Sequence, residues 1–324
     1  MRRVAVGGRP PLLLRPERRT AVLFLSLGRK LVRTMKNKDI FTFRDAEKQA
    51  GPVAFSTMLK PAGSACNLDC GYCYYLDKAA QYGGRQAVMA DDLLELYIRQ
   101  YIEANEVPVV TFCWHGGEPL LLGRDFYRRA VALQRKYAAG KRIENTLQTN
   151  GTLVDEAWCE LFAENGFLVG LSLDGPEDIH DAFRRTKGGR PTFARVMRTV
   201  GMFRRTGVEY NTLSVVNRAC EGRGAEIYRF FRDTVGSRYM QFLPVVEHVV
   251  DRAGLHRPLI VSPETQGARP AEWSVTAEGY GTFLCDIFDE WVVSDVGQCF
   301  VQLFDATLAQ WCGVQPGVCS MGET

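Results

Sequence analysis

The sequence feature that most constrains the fold is an alternation of strand-like and helix-like stretches from about residue 52 onward. Strand-like runs occur six times, at Ala54–Lys60, Pro108–Trp114, Arg142–Gln148, Leu168–Leu173, Glu209–Val216 and Tyr239–Val245. Amphipathic stretches with helical periodicity lie between them, at Asp91–Ala104, Asp125–Ala138, Asp155–Asn165, Thr192–Thr206 and Ala225–Val235. Alternating strands and helices predict parallel βα units. Six such units, where a closed barrel has eight, predict an α/β fold with a partial (β/α)6 barrel of the TIM type, whose functional residues lie at the carboxyl ends of the strands.

The chain beyond residue 246 departs from this alternation. Residues 247–275 contain His, Pro and Gly residues that interrupt the strand and helix patterns, which predicts either an ordered excursion or a flexible loop. Two helix-like stretches follow, Ala277–Val293 and Gly297–Trp311. We therefore assign residues 51–246 to the barrel core, and residues 247–311 to a loop excursion and C-terminal helices that close the core.

The first 38 residues differ in charge from the rest of the chain. They carry eleven Lys and Arg against one acid, Glu17, a net charge of +10, and since the whole chain carries +3, residues 39–324 carry −7. The apolar run Ala21–Leu27 is far shorter than the ~20 residues of a membrane helix, and no small-residue cleavage site of a signal peptide follows it. We expect residues 1–50 to be a disordered basic extension, translated from a start upstream of Met35. A transit peptide is the alternative.

This composition excludes several classes of protein. Residues 39–324 are mildly acidic and lack the basic surface charge that nucleic-acid binding requires. A content of 46% hydrophobic and 24% charged residues is typical of a soluble globular protein. The ten cysteines are scattered apart from one triplet and do not resemble a secreted disulfide framework. They predict a reducing compartment, the cytoplasm.

The triplet is Cys66, Cys70 and Cys73, a C-x3-C-x2-C spacing directly after the first predicted strand. A short wrapping loop with three thiolates is suited to an iron–sulfur cube, [4Fe–4S], whose fourth iron then has no protein ligand and can bind a small molecule. Tyr72, the aromatic before the last cysteine, fits the same prediction. A zinc site is the alternative, but structural zinc commonly takes four protein ligands in paired half-sites, and no matching Cys or His pair follows downstream.

Three polar motifs follow predicted strands and are therefore expected at one edge of the sheet. They are Trp114–Pro119, Gln148–Thr152 and Ser172–Pro176. The paired Gly116 and Gly117 let a backbone approach a ligand closely, and backbone carbonyls together with Glu118 can accept from an ammonium group. Arg184 has a planar fork suited to a carboxylate. Ordinary turns and a solvated arginine are the alternatives for these residues taken singly.

Taken together, these motifs resemble the anaerobic sulfatase-maturating enzymes, a radical S-adenosylmethionine (SAM) family with a C-terminal SPASM domain. The resemblance runs from about Phe55 to the last residue. The cysteine triplet identifies only the superfamily, whereas two later stretches, Phe304–Trp311 and Gln315–Cys319, are more specific to the maturases. The resemblance implies a partial barrel of the radical SAM type, followed by the helical start of a SPASM region that residues 312–324 begin.

The resemblance also implies roles for individual residues. Cys66, Cys70 and Cys73 resemble the ligands of the SAM-binding [4Fe–4S] cluster, and Cys319 resembles the first ligand of an auxiliary cluster. The implied SAM contacts are Tyr72 by its backbone or ring, Gly116, Gly117 and Glu118 at the methionine amino group, and Ser172 and Arg184 at the ribose and carboxylate. The family's seven further auxiliary cysteines and its proposed Asp base have no counterpart before Thr324. We therefore expect a fragment with incomplete auxiliary clusters, in which no residue, Asp174 included, acts as that base.

The implied reaction is the oxidation of an active-site Cys or Ser of a sulfatase to Cα-formylglycine. The reduced cluster donates one electron to SAM, and the resulting 5′-deoxyadenosyl radical takes a hydrogen atom from Cβ of the target residue. The implied partners are the sulfatase polypeptide and an electron donor such as flavodoxin or ferredoxin, with no nucleic acid and no membrane. The alternatives are another SPASM-type peptide-modifying enzyme, a non-catalytic iron–sulfur-binding protein, and an inactive fragment of an active parent.

Overall fold

Strands that follow one another along the chain form the main sheet of the protein. The computed structural model describes residues 54–75, 88–251, 258–315 and 318, all within one compact unit, Pro52–Thr324. The predictions for residues 1–50 and for Cys319 lie outside the described residues. The strands, in chain order, are β1 (Met58–Leu59), β2 (Val109–Trp114), β3 (Arg142–Thr149), β4 (Phe167–Ser172), β5 (Tyr210–Val216), β6 (Tyr239–Pro244), β7 (His248–Val250), β8 (Leu259–Val261), β9 (Arg269–Pro270) and β10 (Phe300–Val301).

Seven of these strands form one sheet in the order β1-β2-β3-β4-β5-β6-β10, and every neighbouring pair is parallel. Strands β1 and β10 are its two ends and do not pair with each other within the described residues, so the sheet stays open. The predicted α/β fold with a partial barrel is confirmed. Because all strands run the same way, the carboxyl ends of β1 to β6 lie at one edge, where the three polar motifs follow their strands.

Helices cover the sheet in the connections between strands. In chain order they are α1 (Asp91–Ala104), α2 (Gly123–Tyr137), α3 (Glu156–Glu164), α4 (Glu177–Phe183), α5 (Phe193–Thr206), α6 (Gly224–Arg229), α7 (Ala277–Ser294) and α8 (Gln302–Trp311). Side-chain caps begin two of them: Asp155 accepts from the Trp158 N–H at α3, and Thr276 accepts from the Gly279 N–H at α7. Their apolar faces are buried against the sheet in one continuous core.

The structure corrects the sequence prediction in several places. Gly297–Trp311 is not one helix, because Phe300–Val301 form β10 beside β6 and α8 begins only at Gln302. The sheet therefore has seven strands and not six. The first strand is only Met58–Leu59, where a longer one is predicted. Helix α4 is not predicted at all, and α6 continues as a π-helical stretch, Phe230–Val235.

Residues 247–275 are ordered where the structure describes them. Strands β7, β8 and β9 form a small antiparallel sheet in the order β8-β7-β9. Three short strands thus occupy part of the stretch for which the sequence leaves an ordered excursion and a flexible loop open. None of the helices described is long and apolar enough to cross a membrane.

Candidate cofactor site

A loop of residues 60–75, called here the cysteine loop, carries the three cysteines of the triplet. It follows β1 and makes backbone hydrogen bonds on two sides. On one side it contacts residues 115–118 after β2, the glycine segment. On the other side it contacts residues 183–186 at the end of α4, the Arg184 segment. The loop is therefore held between the segment that follows β2 and the segment that follows α4.

The glycine segment contacts the cysteine loop through backbone alone. The N–H of Gly117 donates to the carbonyl of Gly63 at 2.9 Å. A Cβ on Gly117 would lie 2.1 Å from the carbonyl oxygen of Ala65, a distance that real Cβ atoms do not reach. Gly116 has a φ of +122°, and a Cβ there would lie 2.9 Å from the carbonyl oxygen of Gly63. Both glycines are needed for the two backbones to approach.

The Arg184 segment pairs with the cysteine loop in an antiparallel manner. The N–H of Asp69 donates to the carbonyl of Arg185 at 2.8 Å, and that of Gly71 donates to Phe183 at 3.1 Å. Leu68 forms an antiparallel bridge with Thr186. The stretch between the first two cysteines is therefore fixed at its backbone.

The three cysteines share an apolar cluster with Leu68, Tyr72 and residues from distant parts of the chain, among them Val245 and Trp273. Burial raises the pKa of the Cys66 thiol, and it raises that of Cys70 to about 12, although the charge of Arg184 lowers it in part. In the metal-free chain these thiols keep their protons at neutral pH, and a metal that binds them must release those protons.

Two N–H groups point at the sulfur of Cys66. The backbone N–H of Leu68 lies 3.4 Å from Sγ, and Nδ2 of Asn150 lies 3.7 Å from it. Asn150 also donates to Oδ1 of Asn67 at 2.9 Å, and Asn67 donates to Oγ1 of Thr152 at 2.8 Å. The motif after β3 therefore contacts the first cysteine directly. Sequence reasoning placed this motif at the rim but did not connect it with Cys66.

The ligand set fits an iron–sulfur cluster better than zinc. Among the described residues, no three His, Cys, Asp or Glu side chains lie close enough together to hold a single metal ion. Structural zinc needs all of its ligands about 2.0–2.3 Å from one ion, whereas the cysteines of an iron–sulfur cube each bind a different iron. The three thiols lie along one loop and share an apolar cluster, and two N–H groups face the sulfur of Cys66. This arrangement matches an iron–sulfur cube.

Glu118 is fully buried and bonded within the protein. Its Oε1 accepts from the N–H of Leu120 at 3.0 Å and from Oγ1 of Thr149 at 2.8 Å, and its Oε2 accepts from the N–H of Asn150 at 2.8 Å. Burial raises the pKa of this carboxyl to about 7, while these hydrogen bonds lower it in part. Its side chain therefore joins the ends of β2 and β3, a use that the motif alone does not indicate.

Arg184 is not the solvated arginine of the simple alternative, because its side chain is only 8% exposed. Its Nη2 donates to Oδ1 of Asp174 at 3.0 Å, and its Nε lies 3.0 Å from Oδ2. The hydroxyl of Tyr72 donates to the same Oδ2 at 2.5 Å. Ser172, the remaining predicted contact, accepts from Nε2 of Gln148 at 3.0 Å. Tyr72 and Arg184 thus share one polar group around Asp174, and Ser172 belongs to a second one at the ends of β3 and β4.

A cavity of about 850 Å³ lies at the opposite edge of the sheet. Residues from the amino-terminal ends of β4, β5 and β6 line it, together with β10 and α8. It includes none of the predicted site residues. The candidate site is therefore the rim around the cysteine loop and not this cavity.

Comparison with known proteins gives a consistent result. The family model of the radical SAM superfamily matches residues 61–218. The serine-type anaerobic sulfatase-maturating enzyme of Bacteroides thetaiotaomicron is 46% identical over 267 residues, which cover 82% of this chain and 64% of that protein. The cysteine-type enzyme of Clostridium novyi is 34% identical over 276 residues, covering 83% of this chain and 68% of that protein.

A solved structure is also similar over most of the chain. Native anSMEcpe with bound AdoMet and Cp18Cys peptide superimposes with a TM-score of 0.69 at 31% identity, covering 82% of this chain and 67% of that one. The chain spans about 64% of the length of the B. thetaiotaomicron relative.

Proposed function

Because this chain belongs to the anaerobic sulfatase-maturating enzymes of the radical SAM superfamily, we propose that it carries the SAM-cleaving part of an enzyme that oxidises a sulfatase residue to Cα-formylglycine. The observation that carries this proposal is the cysteine loop, held between the glycine segment and the Arg184 segment with its thiols in one apolar cluster. A [4Fe–4S] cluster and SAM, when bound, supply the one-electron chemistry that side chains lack.

Cys66, Cys70 and Cys73 are the proposed cluster ligands. Cys70 is buried and Cys66 and Cys73 are half-buried, which supports this role because shielding from solvent suits an oxygen-sensitive cluster and strengthens electrostatic interactions. The N–H groups of Leu68 and Asn150 that face Cys66 are suited to a thiolate ligand, since hydrogen bonds to the sulfurs help set the potential of such a cluster.

The proposed SAM contacts divide into two kinds. Gly116, Gly117 and Ser172 lie at strand ends with backbone or hydroxyl groups, which suits direct contact. The carboxylate of Glu118 already accepts three hydrogen bonds, so we propose that it orients the glycine segment rather than reaching far into the site. Tyr72 and Arg184 are bonded to Asp174, so a contact of theirs with SAM would use the ring or the remaining guanidinium surface.

The proposed substrate is a sulfatase polypeptide with a target Ser or Cys. The identity of 46% to a serine-type relative, against 34% to a cysteine-type one, favours serine. The proposal includes an electron donor of the flavodoxin or ferredoxin kind, a cytoplasmic location, and auxiliary [4Fe–4S] clusters in the whole protein, with Cys319 as a first ligand.

The test is an anaerobic reconstitution of the chain with iron and sulfide, followed by SAM, a strong reductant and a sulfatase peptide with either target residue. We expect 5′-deoxyadenosine by mass spectrometry. The C70A variant should abolish it, and the matched C285A variant, at an exposed cysteine, should not. A peptide lighter by two hydrogens in the serine case would support the maturase.

The alternatives give different results in the same experiment. A thioether- or crosslink-forming enzyme would leave the sulfatase peptide unchanged and modify another peptide. A cluster-loaded protein that forms no 5′-deoxyadenosine in any sample would contradict the proposal and leave a non-catalytic iron–sulfur-binding protein.

A further inference from the structure

Asp174 has no role in the reaction as proposed above, and its ion pair with Arg184 is not needed for the contact with SAM proposed for Arg184. We propose that both are positioning residues: they fix the cysteine loop through Tyr72, and their charges set the reduction potential of a cluster bound at the triplet. This inference rests on the proposed function, because it requires that Cys66, Cys70 and Cys73 hold such a cluster.

The carboxylate of Asp174 is the centre of the arrangement. It has no exposed surface, and it accepts from three directions. Oδ1 accepts from Nη2 of Arg184 and from the N–H of Val215, each at 3.0 Å, and Oδ2 accepts from the hydroxyl of Tyr72 at 2.5 Å. The carboxylate therefore connects the end of β4 with β5, with the end of α4 and with the cysteine loop.

The guanidinium of Arg184 packs over the same loop. Its central carbon lies 5.7 Å from the centroid of the Tyr72 ring, and its neighbour Phe183 accepts the backbone N–H of Gly71. Tyr72 is thus held by its hydroxyl, its ring face and the backbone beside it. Since Tyr72 lies between Cys70 and Cys73 in the sequence, its position restricts both thiols.

Stability alone does not account for this ion pair. A buried pair loses hydration free energy that its attraction often fails to recover, and apolar residues of similar volume are frequently as stable. An ion pair with side chains 8% and 0% exposed is therefore better explained by what its charges do to their surroundings.

Those charges reach the cysteines. Cys70, Tyr72, Phe183 and Val215 belong to one apolar cluster, and Arg184 and Asp174 both contact Tyr72, two residues from Cys70 in the sequence. In a medium of low dielectric such interactions are stronger than in water. Net charge and hydrogen bonds near an iron–sulfur cluster are among the factors that set its reduction potential.

The direction of each effect follows from charge. Reduction adds one negative charge to the cluster, so a positive neighbour favours it. The D174N variant leaves Arg184 uncompensated and should raise the potential. The Y72F variant removes a donor from the carboxylate, leaves its negative charge less balanced, and should lower the potential by less. The D174N/R184Q double variant is neutral again and should return close to the unaltered protein.

The experiment is a redox titration of the reconstituted protein, without SAM, followed by electron paramagnetic resonance. We expect D174N to shift the reduction equilibrium about tenfold, which is about 59 mV for one electron. The matched control is D125N, an aspartate paired with Arg128 on α2 whose side chain is 82% exposed. It removes the same charge away from the loop and should leave the potential unchanged.

A merely structural role would weaken iron retention in all three variants without opposite shifts. The proposal is overturned if the potential of loaded D174N is unchanged or lower, or if the double variant keeps the D174N shift. Where D174N fails to fold, as judged by circular dichroism, Y72F decides: a lower potential at full iron content supports the proposal and an unchanged one overturns it. If the unaltered chain binds no cluster, the proposed function itself has failed.

Discussion

The two sides of the cysteine loop are held by different means. The glycine segment uses backbone alone, with Gly117 donating to Gly63 at 2.9 Å and no side chain between the two backbones. The Arg184 segment makes similar backbone bonds but adds a buried carboxylate and a buried guanidinium. On the first side the two glycines fix the distance, and the carboxyl of Glu118 beside them bonds to residues after β2 and β3. On the second side a carboxylate and a guanidinium both contact Tyr72 of the loop.

The two sides therefore allow the position of the cysteine loop and the charge around it to be changed separately. A change on the glycine side should alter whether the loop can take its position at all. A change of the charged side chains on the Arg184 side keeps the backbone hydrogen bonds to the loop, so it should mainly alter the properties of what the loop binds. Variants on each side can break or sharpen this distinction.

The largest effect is expected for G117A. Its Cβ would lie 2.1 Å from the carbonyl oxygen of Ala65, so the two backbones must separate, with a loss of about 3 kcal/mol or more in the free energy of unfolding. Iron uptake should fall with it. The control is G281A in α7, where a Cβ has open space and the same change should stabilise the helix by about 1 kcal/mol. Urea denaturation measures the free energy of unfolding of both variants. A change in that free energy of the same sign and size in G117A and G281A would refute this account of Gly117.

The second effect concerns Glu118 and pH. Its pKa is raised from an ordinary value of 4.5 to about 7, so the folded protein binds more protons than the unfolded chain between these values. The contribution of Glu118 to stability is therefore fully present below pH 4.5 and is lost as the pH rises to 7, by about 2–3 kcal/mol.

The E118Q variant lacks this titration. The difference in unfolding free energy between the unaltered protein and E118Q should therefore decrease from pH 4.5 to 7, as measured by denaturant unfolding at each pH. E164Q, at an exposed position, controls for the loss of one negative charge. A difference that is constant across this window would contradict the prediction.

A smaller effect is expected for N150A. It removes the side-chain N–H that faces Cys66 and the hydrogen bond to Asn67, with a loss of about 1–2 kcal/mol in unfolding free energy. With one donor fewer at a sulfur, the reduction potential of the cluster should fall. N165A is the control in the same redox titration, because the Asn165 side chain bonds to Arg135 on α2 and to Leu161 on α3, not to the cysteine loop. A potential that rises in N150A would show that the contact to Cys66 does not act in this way.

The smallest effect is expected for the exposed ion pair on α2. Asp125 and Arg128 are 2.9 Å apart with side chains 82% and 60% exposed, so D125N should change the unfolding free energy by less than about 0.5 kcal/mol. A thermal melt measures this. A loss as large as that of G117A would mean that charge matters as much far from the loop as backbone fit matters within it.

The sequence predicted well those features that have a local cause. Helix α1 has the predicted bounds, Asp91–Ala104, because its apolar residues recur at helical spacing and two aspartates, Asp91 and Asp92, begin it. Strand β10, the seventh strand of the main sheet, was not predicted. Its two residues, Phe300–Val301, are too few to show an alternation of apolar and polar side chains, and they form a strand only through their pairing with β6. A residue pattern carries no signal for such a pair.

The candidate site also has one part that local sequence predicts and another part that only distant contacts create. The cysteine spacing and the strand-end motifs lie within single stretches of sequence, so their grouping at one edge follows from parallel strands alone. The hydrogen-bond partners of Glu118 and Asp174, in contrast, include residues from distant stretches of the sequence. Asn150 is 32 residues from Glu118, and Tyr72 is 102 residues from Asp174, so only the folded chain shows that these charged side chains bond to the protein itself.

The most direct test of the central claim is the metal and sulfide content of the chain after anaerobic reconstitution. We predict about four irons and four acid-labile sulfides per chain bound at the triplet, lost in the C66A/C70A/C73A variant and kept in C285A. Zinc bound without sulfide, or iron uptake that is unchanged in the triple variant, would contradict it.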